Sequence, residues 1–392
     1  MGAILQIAFY EIVHITKDKI LFLLLFIAPV TYTTLFGLVY SAGIIKEVPL
    51  GIVDLDQSKL SQEVITAFSN TQSFKKVDQI VTLAQLEEGM KTGVVRAGII
   101  IPEDFSQQIA EHRQAEIKVV YDASNLIWGY NIRKNALEVI NQYSAQYTAG
   151  YLAGLGLTQP EILKVLNAVS CTSEIWFNPT YNYNNFLLMG LVMMIIHQLG
   201  LLSISLTVTR EKERRSWLQY LSSPVSRSAI FWGKSLPYMI INFFNYALLL
   251  WLTVEFFTVK IEGSIVILII LGLLYSLIIT AAGFCISVLA PNSLQATRYL
   301  MLLSVPFFMV AGYTWPDTHM PTFLNDLADL LPSTWMTNGF RQLTLKNLGW
   351  MELKPTLLTL MVMAAAAVSL AWRLAKQPYT KTPPVPERSF YS

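Results

Sequence analysis

The stretch SIVILIILGLLYSLIITAAGFCISVLA, residues 264–290, contains no charged side chain. The nearest charges on either side belong to Glu262 and Arg298. An α-helix that crosses the roughly 30 Å hydrocarbon core of a bilayer needs about 20 predominantly apolar residues. The stretch is long enough for one spanning helix, and it makes a membrane protein the first interpretation of the chain.

The composition of the whole chain supports this interpretation. Of 392 residues, 53% are hydrophobic and only 14% are charged, whereas soluble domains carry about 25% charged residues. The net charge of +2 is too small to indicate a nucleic-acid partner, so the positions of the charges are more informative than their sum.

Five further charge-poor segments of similar length predict five more spanning helices. Together the six predicted spans cover residues 20–42, 185–208, 235–257, 264–290, 298–315 and 355–374. The predicted fold class is an α-helical polytopic membrane protein with six transmembrane helices.

Basic residues give the direction of the spans, because short cytoplasmic loops carry an excess of Lys and Arg. They lie before the first span, in the loop after the second and beyond the sixth: Lys17, Lys19, Arg210, Lys212, Arg214, Arg215, Arg227, Lys234, Arg373, Lys376, Lys381 and Arg388. With six spans, all of them fall on one face. We predict that this face is cytoplasmic and that both termini lie on it.

This topology divides the chain into five segments. They are a cytoplasmic interfacial helix (1–19), the first transmembrane helix (20–45), an extracytoplasmic domain (46–182), a membrane domain with five spans (183–374) and a disordered cytoplasmic tail (375–392). The tail prediction rests on its Pro-rich, polar composition. The interfacial helix has one apolar stripe at helical spacing, expected to lie on membrane lipid: Leu5, Ala8, Ile12 and Ile15.

Residues 46–182 alternate strand and helix signals. Strands are predicted in VPLGIVDLD (48–56), VVRAGIIIP (94–102) and AEIKVVYD (115–122), and helices over 57–70, 103–112, 124–155 and 159–169. The pattern predicts a small α/β domain inserted between the first and second spans.

Four carboxylates in this domain raise the question of a metal site: Asp54, Asp56, Glu103 and Asp122. They are far apart in sequence and stand at strand ends or helix starts, where capping and turn roles are common. The only histidine of the domain is His112, and no nucleophile–histidine arrangement is suggested. We therefore predict no metal ligands and no catalytic residues.

SAIFWGKS, residues 228–235, resembles the end of a P-loop but does not satisfy its pattern. Ser228 replaces the first glycine, and Phe231 and Trp232 would crowd a phosphate. We expect Lys234 to be a cytoplasmic anchor at the start of the third span instead.

The stretch REKERRSWLQYLSSPVSR, residues 210–227, predicts a helix that Pro224 ends, followed by a second short helix back to the membrane. Trp217, Tyr220 and Leu221 fall on one side of the first helix. Two interpretations remain open: amphipathic helices that dock into a partner's groove, or a basic anchor on anionic lipid.

This stretch is similar to a motif of the permease subunits of bacterial type 2 ABC exporters. Their pattern R-E-[RK]-E-x-G-T stands here as residues 210–216, with Pro224 following. Arg215 replaces the usual Gly, Ser216 the usual Thr, and Leu218 a frequent Glu. Further resemblance lies in VDLDQSKLS (53–61), AGIIIPEDFSQQI (97–109), VVYDASN (119–125) and MPTFLNDLADLLPSTWMTNGFRQLTL (320–345).

The resemblance implies a non-catalytic half-transporter in the bacterial inner membrane. Two permease copies, identical or closely related, would form the pathway, and two separate ATPase subunits would bind the loop 209–232. This chain would hold no cofactor, because ATP and Mg²⁺ would bind to the ATPase. The residues implied in coupling are Arg210, Glu211, Glu213, Trp217, Leu221 and Pro224. The resemblance leaves open whether a periplasmic adaptor protein is a further partner.

Few polar groups lie inside the predicted spans. His197, Asn242 and Asn245 are candidates for the substrate pathway, with hydrogen bonding between packed helices as the alternative role. Residues 316–346 suggest short re-entrant helices that pack against the fifth and sixth spans.

The scarcity of titratable groups argues against a proton-coupled transporter and favours amphipathic or hydrophobic cargo, such as drugs or lipids. The alternative function is a membrane-anchored receptor with an extracytoplasmic sensing domain. The cytoplasm would then receive only short loops and a tail, which is unusual for a receptor.

Overall fold

The computed structural model describes residues 2–40, 46–111, 113–166, 177, 184–313, 315 and 319–376. The chain divides into two units, one formed by residues 1–43 with 175–392 and the other by residues 44–174. The predictions for His112 and for most of the tail fall outside the described residues.

The described residues of the first unit form six helices that are long and apolar enough to cross a membrane, as predicted. These spans 1 to 6 are Lys19–Val39, Asn184–Glu213, Arg227–Phe257, Ile265–Leu289, Ser293–Val310 and Trp350–Leu374. Four shorter helices complete the described part of this unit: Gly2–Lys17, Trp217–Ser222, Thr322–Asp329 and Pro332–Lys346.

The start of span 3 differs from its prediction. The helix begins at Arg227, where the Ser226 hydroxyl accepts a hydrogen bond from the Ala229 amide at 3.2 Å, and it continues without a break to Phe257. The separate short helix expected after Pro224 is therefore absent from this described stretch. The helix is continuous from Arg227 through Lys234, so the charged residues at this end extend the span.

Spans 2, 3, 4 and 6 and the helix Pro332–Lys346 share the main hydrophobic core of the first unit. Spans 2 and 4 approach each other closely at Gly283. A Cβ there would overlap the Ile204 side chain and lie 3.1 Å from the Leu201 carbonyl oxygen. Small residues permit this closeness between helices in membranes, where van der Waals packing drives association. Span 5 instead leaves half of its residues exposed and buries only Ala296 and Leu300.

The helix Pro332–Lys346 packs against spans 4, 5 and 6, and Thr322–Asp329 contacts span 5. These helices correspond to the pair predicted within 316–346. Phe323, Leu327 and Leu330 remain exposed on the first of them.

The N-terminal helix, Gly2–Lys17, has two apolar faces rather than the single predicted stripe. Ile15 and Ala8 are buried, whereas Leu5 and Ile12 are exposed. The buried face packs on span 3 because Gly233 has no side chain: a Cβ there would lie 2.6 Å from the Cβ of Ile7. Only the exposed face is available to lipid.

The second unit holds a four-stranded sheet with the strand order β2-β1-β3-β4. The strands are β1 (Val48–Asp54), β2 (Phe74–Lys76), β3 (Ala97–Ile101) and β4 (Lys118–Tyr121); β1 is parallel to β2 and β3, and β3 is antiparallel to β4. The helices are Lys59–Ser69, Leu83–Thr92, Phe105–Ala110, Leu126–Gly154 and Gln159–Leu166. The sequence reading missed β2 and the helix Leu83–Thr92.

Three of the four acidic residues considered for a metal site, Asp54, Asp56 and Asp122, accept hydrogen bonds in turns or at a helix start. Asp54 accepts a hydrogen bond from the Gln57 amide at 3.0 Å, and Asp56 accepts one from the Ser106 amide at 3.1 Å. Bonds from Ser124 and the Arg96 guanidinium lower the pKa of Asp122 to about 2. Capping explains why acids stand at these strand ends and helix starts.

Two glycine substitutions should have opposite effects on stability, because only Gly283 lies where two helices approach closely. Gly283→Ala should lower stability by about 1–3 kcal/mol, because the methyl group meets a backbone carbonyl that cannot move aside. Gly150→Ala, in the helix Leu126–Gly154, places its methyl group in open space and should raise stability by up to about 1 kcal/mol through helix propensity. Melting temperatures in detergent test both, and equal values for the two variants would contradict the packing described.

Candidate functional site

The last turn of span 2 carries four consecutive charged residues, Arg210 to Glu213. Successive side chains on an α-helix point about 100° apart. Each of the four therefore reaches a different neighbour, and together they connect the N-terminal helix with spans 3, 4 and 5.

Arg210 binds the junction between the N-terminal helix and span 1. Its Nη1 lies 2.9 Å from Asp18 Oδ2, and its Nη2 lies 3.6 Å from Glu11 Oε1. Nη2 also donates to the Tyr238 hydroxyl of span 3 at 3.2 Å. The planar guanidinium has enough donors to hold all three partners at once.

Glu211 reaches Lys234 of span 3. Lys234 Nζ lies 3.1 Å from Glu211 Oε1 and 3.1 Å from Glu11 Oε2, and its side chain has no exposed surface. The Ser216 hydroxyl donates a hydrogen bond to the second oxygen of Glu211. Lys234 was expected to be a cytoplasmic anchor at the start of the third span; within the structure it is a buried cation between two carboxylates.

Lys212 and Glu213 bind the two sides of the turn between spans 4 and 5. Lys212 Nζ donates to the carbonyl oxygens of Ser287, Val288 and Ala290 at the end of span 4. Glu213 Oε1 accepts from the Ser293 amide at 2.7 Å, at the start of span 5. A cation at a helix C-terminus and a carboxylate at an N-terminus both match the helix dipole.

Ion pairs and hydrogen bonds lower the pKa of two carboxyl groups of this site, Glu11 and Asp18. Burial opposes ionisation of Glu11, but Lys234, the Thr207 hydroxyl and Arg210 together lower its pKa. The pKa of Asp18 is likewise lowered: its partial burial is outweighed by the Leu21 amide and Arg210. Burial and Arg210 lower the pKa of His14, which lies 3.3 Å from Arg214.

Span 2 ends because Arg215 adopts a left-handed backbone conformation, with φ of 61°. The predicted helix over 210–223 is therefore broken here, and a new helix, Trp217–Ser222, follows. Glycine adopts this conformation without strain. The glycine usual at this position of the similar motif thus has a backbone reason, and Arg215 is a strained substitute.

The helix Trp217–Ser222, called the loop helix below, turns its apolar side inward. Trp217 is buried, and Tyr220 and Leu221 pack on the same core, with the Lys234 ammonium 4.9 Å from the Tyr220 ring centre. Leu218 points outward with 62% of its surface exposed, and Pro224 is also exposed. Of the residues implied in coupling, only Glu213 and Pro224 are exposed.

The three candidates for the substrate pathway lie in two different places. His197 Nδ1 is 2.8 Å from the Tyr275 hydroxyl, in a cavity of about 20 Å³ that spans 2, 4 and 5 and the helix Pro332–Lys346 enclose. Asn242 and Asn245 line a separate gap beside span 1. The structure therefore does not bring the three together.

Asn245 of span 3 forms a hydrogen bond that stabilises the backbone of span 1. Pro29 lacks the amide that would bond the Leu25 carbonyl oxygen one turn earlier, and Asn245 Nδ2 donates to that oxygen at 2.8 Å. A backbone acceptor at this depth needs such a partner. Asn242 lies against Gly200, where a Cβ would come within 3.0 Å of its amide oxygen.

Several residues of the site were missed from the sequence. Glu11 lies on the buried side of the N-terminal helix, and it accepts hydrogen bonds from Thr207 at 2.6 Å and from Tyr238 at 3.1 Å. An acid on an otherwise apolar helical face was a usable signal. Pairing with Lys234, 223 positions further along the chain, was not readable from one sequence.

Comparison with known proteins gives one family and several relatives. A family model described as ABC-2 family transporter protein matches residues 19–373. The probable multidrug ABC transporter permease YbhR of Escherichia coli K12 is 24% identical over 325 residues, 82% of this chain and 85% of the relative. The inner membrane transport permease YhhJ of the same organism is 24% identical over 376 residues, 94% and 95% of the two chains.

A third relative comes from another bacterium. The linearmycin resistance permease protein LnrN of Bacillus subtilis 168 is 22% identical over 363 residues, 88% of this chain and 91% of the relative. The similarity therefore extends over most of both chains in each of these cases.

The backbone strain at Arg215 predicts a stabilising substitution. Arg215→Gly should raise stability by about 1 kcal/mol, because glycine occupies the left-handed region without the Cβ clash. Arg214→Gly is the matched control: Arg214 has φ of −84°, so glycine there gains nothing and removes the contact with His14. Melting of the two purified variants should shift in opposite directions, and a fall in both would refute the strain.

Proposed function

Since the chain belongs to the ABC-2 family of transporter proteins, we propose that it forms half of an exporter's membrane pathway, driven by separate ATPase subunits. The resemblance drawn from the sequence is thereby confirmed at the level of the family: the protein is a multi-pass permease subunit of an ABC transporter. Export as the direction, the second permease copy and the cargo are parts of the proposal.

The single observation that carries the coupling proposal is the arrangement of the loop helix. Its apolar side is anchored in the protein core, while Leu218 projects outward beside exposed Gln219 and Pro224. The buried centre of a protein interface is commonly apolar, with polar groups at its rim. We propose that Leu218 enters an apolar pocket of the ATPase.

The proposed cargo is amphipathic or hydrophobic. The described residues that line the His197 cavity include no Asp, Glu, Lys or Arg. Span 5 presents exposed apolar side chains, among them Met301, Leu302 and Met309, which suit lipid or a second permease copy. Two relatives are named for multidrug transport and linearmycin resistance, which favours drug-like cargo and multidrug efflux.

The proposed orientation places the loop helix and both termini in the cytoplasm and residues 46–182 outside. The basic residues at the ends of spans 2, 3 and 6 support this orientation. The exposed face of the N-terminal helix would then lie on the cytoplasmic leaflet.

Leu218→Asp should weaken binding of the ATPase. Burying a leucine contributes about 2 kcal/mol, which corresponds to about 30-fold in affinity. The tagged chain is expressed with its genomic neighbours, and the copurified P-loop ATPase is quantified in lipid. Leu83→Asp, an exposed leucine of the second unit, is the matched control and should leave copurification unchanged. Copurification of the ATPase with L218D at the wild-type level would refute this docking site.

Labelling of intact cells tests the orientation. In a background with Cys171→Ser and Cys285→Ala, a cysteine introduced at Ser69 should react with a membrane-impermeant maleimide, and one at Ser222 should not. Both positions are exposed in their units. Permeabilised cells should label both and so verify reactivity. The reverse pattern in intact cells would contradict the proposed orientation.

A further inference from the structure

We propose that Glu11 and Lys234 are positioning residues for coupling: with Glu211, they transmit movement of the loop helix to the N-terminal helix. These three residues are called the Lys234 cluster. The inference rests on the proposed function, because the loop helix is taken as the place where the ATPase acts.

The cluster forms an unbroken series of polar contacts between the two helices. The Ser216 hydroxyl, at the start of the loop helix, donates to Glu211. Glu211 binds Lys234 at 3.1 Å, and Lys234 binds Glu11 of the N-terminal helix at 3.1 Å. Every step is a direct hydrogen bond or ion pair, so a shift of Ser216 displaces Glu211 first and, through it, changes the surroundings of Lys234.

Anchoring of the N-terminal helix does not require these charges. Ile7, Ala8 and Ile15 are buried on the same side of the helix, and Ile7 packs directly against Gly233. Removing a carboxylate and an ammonium group from water costs several kcal/mol per ion, and apolar side chains of similar size are often as stable in their place. Attachment of the N-terminal helix to span 3 therefore does not explain why the ion pairs are present.

Sharing of one cation between two carboxylates gives that explanation. Glu11 keeps further partners in Thr207, Tyr238 and Arg210, so it is the fixed side of the cluster. Glu211 has Ser216 as its other described partner and retains some solvent exposure, with 19% of its side chain accessible. Glu211 can exchange Lys234 for water when the loop helix moves, whereas Glu11 cannot.

The cluster thus has two arrangements, with Lys234 bound by both carboxylates or by Glu11 alone. A coupling element needs two such discrete states that both sites influence. In the first state the N-terminal helix, span 3 and the loop helix move together. In the second state Lys234 is bound by Glu11 alone, so the N-terminal helix and span 3 take up a different position relative to span 2, while the apolar side of the loop helix stays in the core.

The experiment measures this movement without knowledge of the cargo. The complete complex of permease and ATPase is reconstituted in lipid nanodiscs, with spin labels at Ser222 and Leu289 or at Leu5 and Leu289. All three positions are exposed. Distances are recorded without nucleotide and after trapping with ATP and vanadate. In the wild type, both distances should change on trapping.

Glu11→Gln combined with Lys234→Met removes one charge of each sign and keeps the side-chain sizes. In this variant the Ser222 distance should still change, whereas the change at Leu5 should be lost. ATPase copurification and melting temperature should stay at wild-type values. The matched control is Arg96→Met with Asp122→Asn, an ion pair of the second unit, which should leave both distance changes intact.

Persistence of the Leu5 change in the variant would overturn the proposal, and so would a wild type in which only Ser222 moves. If the double variant does not fold, Glu11→Gln alone, which retains an acceptor for Thr207 and Tyr238, is measured in its place with the same expected loss. Failure of the wild-type chain to bind an ATPase would overturn the proposed function itself, and that outcome is recorded before any label is read.

Discussion

Lys234 lies inside the first unit with its ammonium group between Glu11 and Glu211, and the ends of three helices are arranged around it. A buried ammonium group without anionic partners would cost several kcal/mol. The N-terminal helix must therefore turn Glu11 inward, span 2 must extend far enough to present Glu211, and Gly233 must lack a side chain so that the N-terminal helix can approach. These requirements orient the three helices around Lys234, while apolar packing of Ile7, Ala8 and Ile15 holds the N-terminal helix in place.

The four charged residues at the end of span 2 differ in how completely contacts within the chain occupy their side chains. Arg210 and Lys212 are occupied by buried or partly buried partners, Glu211 is shared between Lys234 and Ser216, and Glu213 caps span 5 while remaining exposed. The charged motif at the end of span 2 can therefore hold neighbouring helices of the same chain together and also lie next to a partner protein. The outward side of the loop helix, represented by Leu218, is the surface left for a partner.

Sequence reasoning predicted the membrane domain better than the candidate site. Long charge-free segments require no knowledge of neighbours, because the thickness of the bilayer alone gives the length of a span. The site depends on pairs of residues far apart in sequence. Lys234 was predicted to be a cytoplasmic anchor and Glu11 was not singled out, for the same reason: the partner of each lies on another helix, far away in sequence. Asn245 was a substrate candidate, yet its described bond satisfies the Leu25 carbonyl freed by Pro29.

The sequence by itself determined six spanning helices and the position of the charged loop, because hydropathy and charge act locally along the chain. It also contained the reason why 228–235 is no P-loop. Three outcomes became visible only in the folded chain: Lys234 is buried, the stripe on the N-terminal helix divides between a buried and an exposed face, and Arg215 breaks the helix predicted over 210–223. These outcomes depend on which helices approach one another, and close helix packing is a property of the folded chain, absent from any single segment.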